Sequence, residues 1–270
     1  MELGNSIKIE KIRSGGKREK KADLIPQEAL LHLYLNGHKI CVISCSPEDL
    51  IELAIGYVFS HGYVDAYKSI NIIEMCGEDI ENGNRSPDEP GMENISAKIR
   101  ADVVMRGKIE PGYISSGCGS IDGKDTASLP SLIKSKITVS SDTILGLNRK
   151  NLSAQKHKKA LGGLHSASLF DIRGMLLLVR EDIGRHNCLD KIIGHTLIND
   201  MDLSDKMIFT SGRVSIDLVL KAGRILVPVV VTNSSVTHSA AMMAQRLGLT
   251  IIGYARGNRF NIYSCPERIM

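Results

Sequence analysis

Ile225-Leu226-Val227-Pro228-Val229-Val230-Val231-Thr232-Asn233-Ser234-Ser235 is an apolar strand that runs into a polar turn. The same sequence of events recurs through the second half of the chain. Strand Met175–Val179 leads to a helix from about Asn187, with Leu189, Ile192, Ile193, Thr196 and Leu197 on one face. Strand Met207–Thr210 leads to a helix through Ile216, Leu218, Val219 and Leu220. Strand Val227–Val231 leads to a helix over Val236–Leu247 that stops at Gly248, strand Leu249–Tyr254 follows, and Phe260–Tyr263 adds a short edge strand. Such alternation predicts an α/β architecture, with a mixed, mostly parallel sheet covered by helices on both faces.

The turns after these strands share a chemistry. They read Arg180-Glu181-Asp182-Ile183-Gly184-Arg185-His186-Asn187, Ser211-Gly212-Arg213-Val214-Ser215, Thr232-Asn233-Ser234-Ser235 and Arg256-Gly257-Asn258-Arg259. In an open α/β sheet the strand ends line one crevice, where ligands bind. Free N–H groups at helix starts, close backbone approach at Gly and the forked donors of Arg all suit phosphate oxygens. Singly, each turn is an ordinary cap; together they predict a site for a phosphate-bearing ligand such as a nucleotide. Neither G-x-x-x-x-G-K-[ST] nor G-x-G-x-x-G is present, which argues against nucleotide hydrolysis and hydride transfer. His165, in Gly162-Gly163-Leu164-His165-Ser166-Ala167, is placed near a helix start, and His186 lies in a polar turn; the role of both stays open.

The first half begins with a hairpin. Leu31, Leu33 and Leu35 alternate, Asn36-Gly37 supplies a type I′ turn, and Ile40 and Val42 continue the return strand. A helix is predicted with Ser46 as its cap, Pro47 at its first position and Asp49 completing a capping box, closed by Gly62. Strands Ile70–Met75 and Ile95–Met105 flank a polar excursion over Gly77–Glu93, and Pro130–Lys159 reads as helical pieces bridging the halves. The domain reading is a flexible arm over 1–25, an α+β region over 26–129 that ends in the Cys118 loop, and an α/β cofactor-binding domain over 130–270.

Composition narrows the function. The 270 residues are mildly basic, and much of the excess lies in Lys17-Arg18-Glu19-Lys20-Lys21, read as part of the solvated arm. Trp is absent and other aromatics are few, so base-stacking platforms for nucleic acid are scarce. No apolar run is long enough to span a bilayer, and the six cysteines follow no disulfide framework, so the expectation is a soluble cytoplasmic protein. Cys41, Cys45 and Cys188 sit among apolar residues and read as packing. Cys118 differs: in Ser115-Ser116-Gly117-Cys118-Gly119-Ser120 it lies in a reachable loop, where its thiolate would be a nucleophile or a sulfur carrier. A zinc deaminase would need H-x-E and P-C-x-x-C; no H-x-E occurs and Ile121 stands where the frame needs a second cysteine, so no metal is expected.

Arg180-Glu181-Asp182-Ile183-Gly184-Arg185-His186-Asn187-Cys188-Leu189-Asp190-Lys191 closely resembles the R-E-D-x-G-R-H-N-A-x-D-K signature of the formate dehydrogenase accessory proteins, the FdhD/NarQ family. The resemblance extends through Gly162–Ala167, Thr210–Arg213, Gly253–Tyr263 and, in the first half, Glu52-Leu53-Ala54-Ile55-Gly56-Tyr57. It implies a cytidine-deaminase-like three-layer sandwich with a smaller N-terminal α+β portion, usually as a homodimer. It also implies a sulfurtransferase: Cys118 receives sulfur from a cysteine desulfurase as a persulfide and passes it to the molybdenum (or tungsten) bis(molybdopterin guanine dinucleotide) cofactor destined for formate dehydrogenase. Tyr254, Ala255, Arg256, Gly257, Asn258 and Arg259 match the segment that the family assigns to cofactor binding. The family loop often reads G-C-G-x-C, and Gly117-Cys118-Gly119-Ser120-Ile121 lacks the second cysteine, so a relay between two thiols of this loop is excluded. The alternative is a module that binds and delivers the cofactor without carrying sulfur.

Overall fold

The computed structural model describes residues 3–77, 93–102, 112–114 and 129–270. The N-terminal half contains β1 (Gly4–Ile12), β2 (Arg18–Pro26), β3 (Ala29–Leu35), β4 (His38–Cys45), α1 (Leu50–Ser60), β5 (Ile70–Gly77), β6 (Glu93–Ala101) and β7 (Gly112–Ile114). The stretch read as a flexible arm is regular: β1 and β2 pair antiparallel as a two-stranded sheet of their own. The other five strands form a mixed sheet in the order β5-β6-β3-β4-β7. Asn36 and Gly37, at φ 49° and 84°, make the tight β3–β4 turn that the sequence predicts. A register shift between Leu33 and Tyr34 then turns Cys41, Ile43 and Cys45 inward, and leaves Val42 only half-buried.

Helix α1 begins later than its capping pattern suggests. Asp49, at φ 53°, is the residue before the helix and makes no side-chain cap. Ser46 is engaged elsewhere: its N–H donates to Asp182 Oδ2 (3.1 Å) and its hydroxyl accepts from the Ile183 N–H (3.2 Å). Leu53, Ala54, Tyr57 and Val58 cover the five-stranded sheet.

The C-terminal half contains α2 (Ser141–Ala154), α3 (Lys158–Leu161), β8 (His165–Asp171), β9 (Leu176–Asp182), α4 (Arg185–Ile198), β10 (Lys206–Thr210), α5 (Ile216–Arg224), β11 (Val229–Thr232), α6 (His238–Leu247), β12 (Thr250–Arg256) and β13 (Arg259–Ser264). Its six strands run β13-β12-β11-β10-β8-β9. Only β10–β11 and β11–β12 are parallel, so the expectation of a mostly parallel sheet is corrected. The reason is β8, which occupies the segment read as a helix start. Gly162 and Gly163, both at positive φ, reverse the chain after α3, and Ser166–Phe170 then pairs antiparallel with both β10 and β9. On the far edge, β13 returns antiparallel to β12.

Period-two alternation sends side chains to the two faces of this sheet. Ala167, Leu169, Ile208, Val230 and Ile251 pack under α4, α5 and α6; Phe170, Met207, Phe209, Val229 and Val231 pack against Ile144 and Leu147 of α2. Mixed strand directions in a helix–sheet–helix arrangement make the half α/β, as the alternation of elements predicts.

The halves meet where α1 crosses α4. A Cβ on Gly56 would lie 1.8 Å from the Asp190 carbonyl oxygen, and one on Gly194 would lie 1.9 Å from that of Glu52. Only hydrogen fits at either position.

Candidate functional site

The signature Arg180–Lys191 is largely spent on holding this crossing together. Arg180 donates two hydrogen bonds to Glu52 (2.6 and 2.7 Å), which also contacts His195 (2.8 Å). Burial pushes the Glu52 carboxyl up, but the bonds from Arg180 and His195 outweigh it and hold the group below its usual range. Buried Glu181 accepts from the backbone N–H groups of Lys156, His157 and Lys158 at the start of α3. Fully buried Asp182 accepts from Lys191 (2.7 Å), Asn187 (2.8 Å), the Gly184 N–H (2.9 Å) and the Ser46 N–H. Asn187 donates as well to the Ser44 carbonyl (2.9 Å). Asp190 is bound by Lys221 and by the Ser60 hydroxyl (2.8 Å). Burial acts against the charge on Lys191, yet Asp182 holds its ammonium above the ordinary lysine value.

The turns after β10 and β11 converge with the end of β12, while the turn after β12 stays outside. β10 and β11 end in register at Thr210 and Thr232, and the segments beyond them, with part of β12, line a cavity of about 350 Å³. Its walls are Asn148, Ser211, Asn233, Ser234, Ser235, Tyr254 and Arg256. The two threonines build the turns: Thr210 Oγ1 accepts from the Gly212 N–H (3.2 Å), while Thr232 Oγ1 accepts from the Ser234 N–H (3.0 Å) and donates to the Gly212 carbonyl (2.7 Å). Tyr254 sits at φ 53°, with its N–H on the Ser234 carbonyl (2.9 Å) and the Arg256 guanidinium 5.9 Å from the centre of its ring. A non-glycine residue in this left-handed conformation is uncommon and stores strain at the cavity wall. Hydroxyls, amides and one guanidinium form a donor-rich surface that matches the oxygens of a phosphate ester.

Two histidines contact serine hydroxyls, and the serine that His165 meets belongs to the wall. His165 Nδ1 is 3.4 Å from the Ser211 hydroxyl, and His186 Nε2 is 3.2 Å from the Ser215 hydroxyl. Burial, followed by the charges of Lys221 and Arg185, pushes His186 down to about 3; burial and Arg185 also lower His165. Both imidazoles are therefore neutral at neutral pH and act as hydrogen-bonding groups.

Of the six positions that the resemblance assigns to the ligand, Tyr254 and Arg256 line the cavity. Ala255 points to the opposite, buried cluster, and Gly257, Asn258 and Arg259 form the exposed turn into β13. Arg213 is exposed and Arg185 packs under Gly212, so neither is part of the lining. Asn148, whose Oδ1 accepts from Asn233 (3.1 Å), was not singled out by the sequence; it reaches the cavity from α2, far away in the chain, and no local pattern marks it. Cys118 lies outside the described residues.

A family model described as FdhD/NarQ family matches residues 26–270. The chain belongs to the FdhD/NarQ family. It is 35% identical over 258 residues to the sulfur carrier protein FdhD of Bacillus subtilis (strain 168), covering 94% of this chain and 93% of that protein. It is 32% identical to the protein of the same description from Sulfolobus acidocaldarius, covering 97% of each. A crystal structure described as a formate dehydrogenase accessory protein from Desulfotalea psychrophila superposes on it with a TM-score of 0.77, at 26% identity and over 100% of each chain. Within the family's signature, then, the interior ties of Arg180–Lys191 are separable from the cavity at the strand ends.

Proposed function

We propose that this chain is a sulfur carrier in formate dehydrogenase maturation. Cys118 takes sulfur from a cysteine desulfurase and passes it to the molybdenum (or tungsten) bis(molybdopterin guanine dinucleotide) cofactor, its substrate, which is afterwards inserted into formate dehydrogenase. The observation that carries the reading is the polar cavity at the ends of β10, β11 and β12, in a chain whose relatives are described as sulfur carriers. At about 350 Å³ the cavity has the size of a small-molecule site and suits one guanine nucleotide end of the cofactor. Arg256 would hold a phosphate by its fork, Ser211, Ser234 and Ser235 would donate to the remaining oxygens, and Tyr254 would flank the base or ribose.

Loading is a thiol exchange. The Cys118 thiolate attacks the outer sulfur of the donor's persulfide, a new S–S bond forms on Cys118, and the donor's cysteine leaves as a thiolate. No electrons are lost or gained, and one thiolate suffices, which accommodates Ile121 in place of a second cysteine. The reading extends to a cytoplasmic homodimer whose C-terminal half is a cytidine-deaminase-like sandwich without zinc.

Incubation with a cysteine desulfurase and radiolabelled cysteine tests the loading step. Labelled sulfur should be retained by the protein and lost in Cys118→Ala; equal labelling of that variant would refute the assignment. Ile121 also favours a second reading, a module that delivers the cofactor without carrying sulfur. On that reading Cys118→Ser would restore formate dehydrogenase activity in a deletion strain, whereas a sulfur carrier would not.

A further inference from the structure

The N-terminal hairpin takes no part in the site, and it has two unlike faces. Residues opposed in an antiparallel ladder point the same way, and successive pairs alternate. Lys8 lies opposite Ala22, Glu10 opposite Lys20 and Ile12 opposite Arg18, and all of them are exposed. Ile12 is 60% exposed, and Leu24 on the same face 42%. The other face is partly covered, with Ile9, Lys21 and Asp23 half-buried. Glu10, the only acid of the open face, is tied to Arg18 (3.2 Å), while Lys8 and Lys20 have no ion pair among the described residues. Residues 4–26 hold seven Lys or Arg against three Asp or Glu, an excess equal to the formal net charge of the entire chain, +4.

A two-stranded hairpin is marginal in water by itself, and this one is secured at its base. Gly4 lies against Leu161 of α3, so close that a Cβ would be 2.3 Å from Leu161 Cδ2, and Pro26 lies beside Gly163. Two residues further on, His165 contacts Ser211 of the cavity wall. A protein bound to the hairpin is thus tethered through a short connection to the candidate site. The family model starts at residue 26, the last residue of the hairpin.

We propose that the open face of this hairpin docks an acidic patch on the protein that donates sulfur to Cys118, an inference that rests on the sulfur-carrier reading. The chemistry favours a protein over a nucleic acid: β1 and β2 contain no aromatic residue on which bases could stack, whereas Ile12 and Leu24 supply apolar contacts at the two ends of the face, with Lys8 and Lys20 between them. It favours the donor because the two reacting groups, a thiolate and a persulfide anion, repel each other. A basic surface away from the chemistry supplies the attraction that the sulfur atoms cannot.

The test is the initial rate of labelled-sulfur transfer from a cysteine desulfurase to the full-length protein, measured across a sodium chloride series. The wild-type rate should fall by about tenfold as salt screens the attraction. Lys8→Glu combined with Lys20→Glu should lose about tenfold at low salt and flatten the salt dependence, while the paired Arg substitutions should behave as wild type. Both side chains are exposed, so an unchanged thermal melt would exclude misfolding. A Glu variant with the wild-type rate and salt slope overturns the docking face, as does an Arg variant as slow as the Glu variant. Loss of single-stranded RNA binding in the Glu variant with undiminished sulfur transfer would give the face to nucleic acid and overturn it too. A wild-type protein that takes no label on Cys118 removes the sulfur-carrier reading itself, an outcome distinct from the others.

Discussion

Polar side chains gather in two regions of the C-terminal half and meet different fates. At the α1–α4 crossing, Asp182, Asn187, Asp190 and Lys191 are buried and bonded to one another, to Lys221, or to the backbone of the other half. At the ends of β10–β12, Ser211, Asn233, Ser234, Tyr254 and Arg256 are only partly buried or exposed and face a cavity. A buried charge whose partners are all protein is a fastener, and its removal should cost stability. A half-buried donor facing open volume is free to meet a ligand, and its removal should cost binding.

The largest expected effect lies at the fastener. Asp182→Ala leaves the ammonium of Lys191 buried without its carboxylate and should destabilise the protein by about 3–5 kcal/mol in urea unfolding. Combining it with Lys191→Met should recover part of that loss; a double variant no better than the single one would show that packing, not charge, holds the crossing. Gly194→Ala drives a methyl into the Glu52 carbonyl and should cost about 3 kcal/mol by the same measurement. Arg256→Ala should behave in the opposite manner: guanine nucleotide affinity falls by about tenfold or more in calorimetric titration. Its unfolding free energy should move by no more than about 0.5 kcal/mol, and a large stability loss would place Arg256 with the fasteners.

At neutral pH the smallest effect concerns His186, whose contribution changes only in acid. Its folded-state value is about 3 against an ordinary 6.5, so between these pH values the unfolded chain takes up a proton that the folded imidazole refuses. Stability from this group is therefore full above pH 6.5 and is lost progressively as pH falls toward 3. His186→Gln should flatten that part of the stability–pH profile, and an unchanged slope would contradict the assignment. Glu52, held low, adds its own loss below the ordinary carboxylate value of 4.5, as protonation releases Arg180.

Local patterns made much of this legible in the sequence. The β10–β11–β12 alternation, the Asn36-Gly37 turn and the Gly248 stop are encoded within a few residues and appear where expected. The convergence of Ser211, Asn233–Ser235, Tyr254 and Arg256 follows from parallel strands ending side by side. What failed to show depends on distant partners. Ser46 looks like a helix cap until Asp182 and Ile183 engage it, and β8 looks like a helix start until β9 and β10 provide its ladder. The charged signature Arg180–Lys191 resembles a ligand turn because sequence alone does not reveal that Glu52, Ser44 and Lys221 have already satisfied it. The hairpin β1–β2 was hidden by its charges, which break the apolar alternation that usually marks a strand.

The most direct test of the division between fastener and site is a crystal structure with guanosine diphosphate. The account predicts density in the cavity between Ser211, Asn233, Ser234 and Tyr254, with a phosphate on Arg256. Nucleotide bound instead in the larger cavity of about 820 Å³ between Phe59 and Leu226, with the strand-end cavity empty, would contradict it.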